Sequence, residues 1–278
     1  MRLAAALLLA LLLGGCQARF GRGPELARAA GWQWQLLPAG GFTLASASSP
    51  GSGTSPGPAE LATVFLEGDG FAYVTPNQPA MDPTPTDPTA LRLALAHPGP
   101  FPRAWLARPC QYTLGENGRG CTEAYWTNRR YAPEVVASLD AALDQLKARL
   151  GARRLVLVGY SGGGALAVLL ADRRADVAAV ATVAANLDLG FWVARDQLAP
   201  LDGSLDPAAV APRLGALPQA HFTGSADRVT GTDVVRAFMR RLPPGTPARL
   251  LEQPGFDHDC CWARDWPRLA RDLPPGRL

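Results

Sequence analysis

Eleven residues, Leu155-Val-Leu-Val-Gly-Tyr-Ser-Gly-Gly-Gly-Ala165, constrain this chain more than any other stretch. Leu155 to Val158 is short, β-branched and uncharged, the pattern of a strand buried on both faces of a parallel sheet. It runs into Gly159, Ser161 and three consecutive glycines, and then into Ala165–Asp172, which reads as a helix. Gly159-Tyr-Ser161-Gly-Gly163 therefore fits G-x-S-x-G in the strand–turn–helix setting that gives the pattern its meaning. A serine forced onto a sharp turn needs small neighbours on both flanks, because a side chain there would strike the strand or the helix. The helix also aims unpaired N–H groups and a partial positive charge at the place where negative charge would develop. No G-K-[ST] follows the glycines, so the stretch is not a Walker-type phosphate loop.

The beginning of the chain reads as an address. Arg2 supplies a positive charge and Leu3–Leu13 an apolar run too short to span a bilayer, so residues 1–15 are expected to be a signal peptide. The run ends in Leu13-Gly14-Gly15-Cys16, which resembles the lipobox of bacterial lipoproteins. That resemblance implies cleavage before Cys16, lipid on its sulfur and acylation of its amine. The plainer alternative is a secretory signal that happens to contain a cysteine. Multiple acyl chains would hold the protein stably on a membrane. The expected location is therefore the periplasmic or extracellular face of a bacterial cell membrane, with residues 16–30 as a tether.

Export implies an oxidising compartment, and the other cysteines number four: Cys110, Cys121, Cys260 and Cys261. Three pairings are possible. Cys110–Cys121 closes a short loop and is favoured. Adjacent Cys260 and Cys261 can bridge only through a strained ring, so bonds from that pair to Cys110 and Cys121 stay open. No C-x-x-C spacing supports a metal site, and no cofactor is expected. The 27 basic and 24 acidic residues give a net charge of only +3, with arginines scattered rather than striped, which excludes nucleic acid as a partner. Oligomeric state is not legible.

Residues 31–278 read as a single α/β domain. Strands are expected at Trp32–Leu37, Gly41–Ala45, Leu61–Leu66, Arg103–Ala107, Leu155–Val158, Val177–Val183, Ala220–Thr223 and Ala248–Leu251. Helices are expected at Thr89–Ala96, Pro133–Leu150, after the serine, at Thr232–Leu242 and at Trp262–Leu273. The second of these carries apolar side chains at three- and four-residue intervals and stops at Gly151. Ser46–Pro58 reads as an exposed loop, and residues 186–214, irregular and proline-rich, as a small cap or excursion. Strands alternating with helices argue for a mostly parallel central sheet covered on both faces.

Two partners for Ser161 lie downstream. The strand Ala220–Thr223 empties into Gly224-Ser-Ala-Asp227, and His258 sits between two aspartates in the loop after the last strand. With them the chain resembles the α/β-hydrolase fold family, in which serine, acid and histidine follow in that order. The resemblance implies Ser161 as nucleophile, His258 as base and Asp227 as the acid that orients it. Asp188 and Asp206 are rival acids within the excursion. His221, inside a strand, reads as scaffolding, and His97, before Pro98-Gly-Pro, as solvent-facing.

The same resemblance implies an oxyanion hole made by the backbone N–H of Gly162 and of the loop Glu67-Gly-Asp69-Gly70, with Asp69 the donor and Gly70 the alternate. Glu67 stands where many members of the family carry histidine. A carboxylate at Asp69 would oppose an anion unless it turns away or is paired, and Arg108 is the expected partner. Arg108-Pro-Cys-Gln111 and Asp257-His-Asp-Cys-Cys-Trp262 further resemble a group of bacterial hydrolase-like lipoproteins. The expected activity is a membrane-tethered serine hydrolase taking a small ester or amide, an esterase before a peptidase. Tyr73, Tyr160, Phe191 and Trp192 are candidates to line its acyl pocket. The competing reading is an exported binding or scaffold lipoprotein that keeps the fold without turnover.

Overall fold

A computed structural model describes residues 22–50, 59–113 and 115–274. The signal peptide, Cys16, the first part of the tether and residues 51–58 lie outside the described residues. A first helix, α1, covers 22–29. The strands are β1 (Gln33–Ala39), β2 (Phe42–Ser48), β3 (Ala59–Leu66), β4 (Tyr73–Thr75), β5 (Gln78–Pro79), β6 (Arg103–Leu106), β7 (Ala152–Tyr160), β8 (Val177–Val183), β9 (Gln219–Gly224) and β10 (Ala248–Gln253). The remaining helices are α2 (Thr89–Ala96), α3 (Pro133–Arg149), α4 (Gly162–Arg173), α5 (Leu189–Asp196), α6 (Pro207–Val210), α7 (Gly231–Met239) and α8 (Trp262–Leu269).

Eight strands form one sheet in the order β1-β2-β6-β3-β7-β8-β9-β10. β1 pairs antiparallel with β2, and β2 with β6; every later pairing is parallel. The expected mostly parallel sheet is present. Its two-faced burial is visible in β7, where Leu155 and Leu157 enter the layer of α3, α4 and α7 while Val156 and Val158 enter the layer of α2 and α8. A strand alternates its side chains across the sheet, so both sets must be apolar when both faces are covered. α3 begins with Pro133 in its first turn, carries Glu134 there and Lys147 and Arg149 in its last turn, and so matches the helix dipole at both ends.

Several boundaries differ from expectation for physical reasons. β2 runs on to Ser48 because Ser46 is buried and donates through Oγ to the Trp105 carbonyl (2.7 Å), so part of the expected exposed loop is strand. The hairpin β4–β5 was not anticipated, since Tyr73–Thr75 is too short to show alternation. Residues 186–214 hold α5 and α6, each capped by an aspartate: Asp188 accepts from Phe191 N–H (2.9 Å) and Asp206 from Ala208 N–H (2.9 Å). The last helix stops at Leu269 and tightens into a 3₁₀ turn over Ala270–Asp272. The cysteines pair as Cys110–Cys121, the favoured pairing, and as Cys260–Cys261.

His97 is a correction. It is buried rather than solvent-facing, its Nδ1 accepting from Trp266 Nε1 (3.2 Å). His221 is buried in β9, its Nδ1 2.9 Å from Thr182 Oγ1, as scaffolding should be. Burial lowers both imidazoles to about 4, helped at His97 by the charge of Arg103. Both are therefore neutral when folded, whereas the unfolded chain takes up protons near 6.5. Their contribution to stability is complete above that pH and is lost as pH falls from 6.5 towards 4. Urea unfolding at about pH 7.5 and pH 4.5 should show a loss on the order of 2 kcal/mol per histidine. His221→Gln should reduce that difference.

Candidate active site

The parallel strands end on one side of the sheet, and the predicted site residues leave from those ends. β7 delivers Ser161, held by its N–H to the Val183 carbonyl of β8 (2.9 Å). Ser161 has φ +49° and ψ −123°, a conformation rare for a residue with a side chain. Such strain costs about 1–3 kcal/mol and persists only where the surroundings enforce it. They do so here. A Cβ on Gly159 would lie 2.2 Å from the Gly163 carbonyl oxygen, and one on Gly162 would lie 2.0 Å from Asp69 Oδ1. The glycines flanking the serine are thus required by close approach.

β9 and β10 pair in register to Gly224 and Gln253, so the loops after them leave side by side. Ala226 N–H donates to Phe256 O (2.9 Å) and locks one loop to the other. His258 Nδ1 lies 3.0 Å from Asp227 Oδ2, and His258 Nε2 lies 3.1 Å from Ser161 Oγ. The three groups predicted from sequence are therefore in one hydrogen-bonded line. An ionised carboxylate only accepts, so Nδ1 carries the proton and Nε2 presents a lone pair to the hydroxyl. Asp227 also accepts from Val229 N–H (2.8 Å), Thr230 N–H (3.1 Å) and Thr230 Oγ1 (2.9 Å). Burial pushes its carboxyl up, but the hydrogen bond and charge of His258, with those from Thr230 and Val229, hold it below the usual carboxylate range.

Tyr160, Asp257 and Trp262 position the histidine, which sequence reasoning missed. Tyr160 Oη donates to the His258 carbonyl (3.0 Å), with Asp259 Oδ1 a second acceptor at 3.3 Å. Trp262 Nε1 donates to the same carbonyl (3.0 Å), and Asp257 Oδ1 accepts from Asp259 and Cys260 N–H. The signal was present in the segment Asp257–Trp262, which the sequence reading noted without assigning it a role.

The Glu67–Gly70 loop leaves β3, whose Leu66 pairs with Gly159 of β7, and so lies against the serine turn. Neither carboxylate faces it as a free charge. Glu67 is buried and accepts from Gly68 N–H (3.1 Å), Ala90 N–H (3.2 Å), Leu91 N–H (3.4 Å) and Trp105 Nε1 (2.9 Å). It caps the start of α2, where N–H groups lack helical partners. Burial raises its carboxyl against the pull of these four bonds. Asp69 bonds Arg108 Nη1, Arg130 Nη1 (2.6 Å) and Tyr131 Oη (3.3 Å). Burial raises its carboxyl too, but the charges and hydrogen bonds of Arg130 and Arg108 outweigh that and bring it to about 2. Arg108 was expected; Arg130 and Tyr131 were not. Two guanidinium groups against one carboxylate leave a net positive charge behind the turn. The N–H groups of Gly162, Asp69 and Gly70 have no acceptor among the described residues.

Beside Ser161 and His258 opens a cleft of about 540 Å³, with Tyr73, Tyr160 and Trp192 on its walls; Phe191 is not among its lining residues. The rival acids are engaged elsewhere, Asp188 with Arg241 (2.9 Å) and Asp206 with the N–H groups of Leu189 and Ala208. Among the described residues no group of three His, Cys, Asp or Glu side chains is placed to hold a metal, and no helix is long and apolar enough to cross a membrane.

A family model described as alpha/beta hydrolase fold matches residues 23–210. Solved structures that resemble the chain include an esterase of Pyrococcus furiosus, 11% identical, covering 88% of this chain and 93% of that one with a TM-score of 0.60. Est1E from Butyrivibrio proteoclasticus is 11% identical, covering 86% and 96%, with a TM-score of 0.58. An α/β serine hydrolase without lid from Xanthomonas campestris is 13% identical, covering 87% and 95%, with a TM-score of 0.54. No curated protein sequence matches the chain.

Proposed function

This chain belongs to the alpha/beta hydrolase fold family, and from that premise we propose that it is a carboxylesterase working through an acyl-enzyme on Ser161. The observation that carries the reading is the line of hydrogen bonds from Asp227 through His258 to Ser161, at 3.0 and 3.1 Å. A serine hydroxyl is a weak nucleophile near neutral pH. As its Oγ bonds to the ester carbonyl carbon, its proton passes to His258 Nε2. Asp227 holds the tautomer and stabilises the imidazolium without taking the proton. The C–O bond to the alcohol then breaks, and the alcohol leaves with the proton from Nε2. Water repeats the sequence on the acyl-serine and releases the acid.

Negative charge on the carbonyl oxygen falls to the N–H groups of Gly162 and Asp69, with Gly70 the alternate. One such donor is typically worth about 2.7–4 kcal/mol. The carboxylates of the Glu67–Gly70 loop do not oppose that anion as free charges, because Glu67 is turned into a helix cap and Asp69 is paired. The wider reading keeps residues 1–15 as a signal peptide and Cys16 as the lipid-bearing start of a tether, but ends that tether at α1, whose Ala27 is buried in the core. Residues 31–278 make one hydrolase domain, within which the 186–214 excursion brings Trp192 to the cleft.

A panel of p-nitrophenyl esters and aminoacyl anilides tests the proposal. Ester turnover exceeding anilide turnover, and lost in Ser161→Ala, is the expected result. Anilide turnover exceeding ester turnover would make the protein a peptidase or amidase, and no turnover of either by folded protein would favour the scaffold.

A further inference from the structure

Arg22 and Gly23, at the start of α1, are docked beside the cleft. Arg22 Nη1 donates to the Thr86 carbonyl (3.3 Å) and Arg22 Nε lies 3.6 Å from Asp87 Oδ1. Gly23 packs so closely on Tyr112 that a Cβ there would lie 2.9 Å from the ring. Tyr112 is in turn joined to the same strap, its N–H donating to Thr84 Oγ1 (2.8 Å). Pro85, Thr86 and Asp87 of that strap form one wall of the cleft. The described part of the chain therefore begins at the rim of the cleft. Six residue steps separate Cys16 from Arg22, and an extended chain covers at most ~3.3–3.6 Å per residue, so the two lie within about 22 Å.

The rim mixes exposed polar residues, Thr86, Asp87 and Arg228 among them, with exposed apolar ones. Val74, Met81 and Val229 are 54%, 93% and 48% exposed, three of the six large apolar side chains exposed among the described residues. Val229 lines the cleft and Val74 follows cleft-lining Tyr73. Met81 stands on the segment held to residues 71–72, Ala80 N–H donating to Ala72 O (2.9 Å) and Phe71 N–H to Pro83 O (3.0 Å). Exposed apolar side chains gathered around a cleft mark a contact surface.

We infer that this rim rests on the bilayer that holds Cys16, and that the substrate is a membrane-resident amphiphile whose carboxylic ester enters the cleft from the lipid side. The inference rests on Ser161 as nucleophile and Cys16 as anchor. A short tether fixed at the rim keeps the opening near the lipid surface and raises the local concentration of esters there. A substrate drawn from bulk water would gain nothing from that placement.

The test uses the lipidated chain in phosphatidylethanolamine–phosphatidylglycerol vesicles that carry a fluorogenic long-chain ester, with p-nitrophenyl acetate as the water-soluble comparison. A spacer of about 30 Gly/Ser residues between Gln17 and Ala18 relaxes the tether to a span of roughly 30 Å. It should lower turnover of the bilayer ester at least fivefold and leave the soluble ester unchanged. Met81→Glu and Val74→Glu should act in the same direction. Equal effects on both substrates, or none on the bilayer ester, would overturn the orientation, as would a Cys16 without lipid in the mature protein.

A readout independent of activity separates this inference from the esterase reading. A polarity-sensitive fluorophore on Met81→Cys should shift to the blue on vesicles and be quenched by spin-labelled lipid. One on Arg153→Cys, exposed at the opposite end of β7, should not. If both labels respond alike the orientation is wrong. If only the first responds while Ser161→Ala keeps full ester turnover, the orientation stands and the assignment of the nucleophile falls.

Discussion

Ser161→Ala and His258→Ala should each lower kcat/KM for an activated ester by about 10⁴- to 10⁶-fold, with circular dichroism checking that the fold is intact. The size follows from shared work on one proton. Without His258 Nε2, 3.1 Å from Ser161 Oγ, the hydroxyl must lose its proton to water. Without Oγ the base has nothing to activate. The double variant should therefore be no worse than the poorer single one. Asp227→Asn should cost on the order of 10⁴-fold, because an amide can present its N–H to Nδ1 and favour the wrong imidazole tautomer. Losses that add in the double variant would mean that the two groups do not act as one unit.

Asp69→Ala should destabilise the folded protein by about 3–5 kcal/mol, because it leaves two buried guanidinium groups without their carboxylate. Arg108 and Arg130 are both almost wholly buried and share Asp69. For a domain of this size the loss should lower Tm by on the order of 10 °C. Asp69→Asn should fall between, keeping an acceptor while losing the charge. The pH dependence has the opposite origin to that of the buried histidines. A carboxyl held near 2 when folded and near 3.8 when unfolded stabilises fully above 3.8, and that contribution is lost as pH falls towards 2. Thermal melts of the wild type and both variants at about pH 7 and pH 3 check this. A wild-type advantage over Asp69→Ala that does not shrink at the lower pH would contradict it.

How much of this was legible beforehand depends on how local the cause was. Val177–Val183 and Thr89–Ala96 were read to the residue, because a β-branched apolar run and a short helical stretch between prolines are local signals. Ser161, Asp227 and His258 were legible because each sits in a short pattern at a strand end. Arg130 and Tyr131 were not: they reach Asp69 from more than 60 positions away, and nothing around them differs from an ordinary loop. His97 was misread for the same reason. Its neighbours Pro98-Gly-Pro look like surface, while its burial is decided by Trp266, 169 positions on. The role of Glu67 depended on α2 starting 22 residues later, with the N–H groups of Ala90 and Leu91 free to bind it. Cysteine parity could not separate the three pairings, because only the folded loops say which sulfurs meet.

The most direct test is covalent. The folded protein is treated with a fluorophosphonate, digested, and the modified peptide mapped by mass. One adduct on Ser161, absent from Ser161→Ala and from His258→Ala, is the predicted result. A folded wild-type protein that takes no label, or takes it at another residue, would contradict the account.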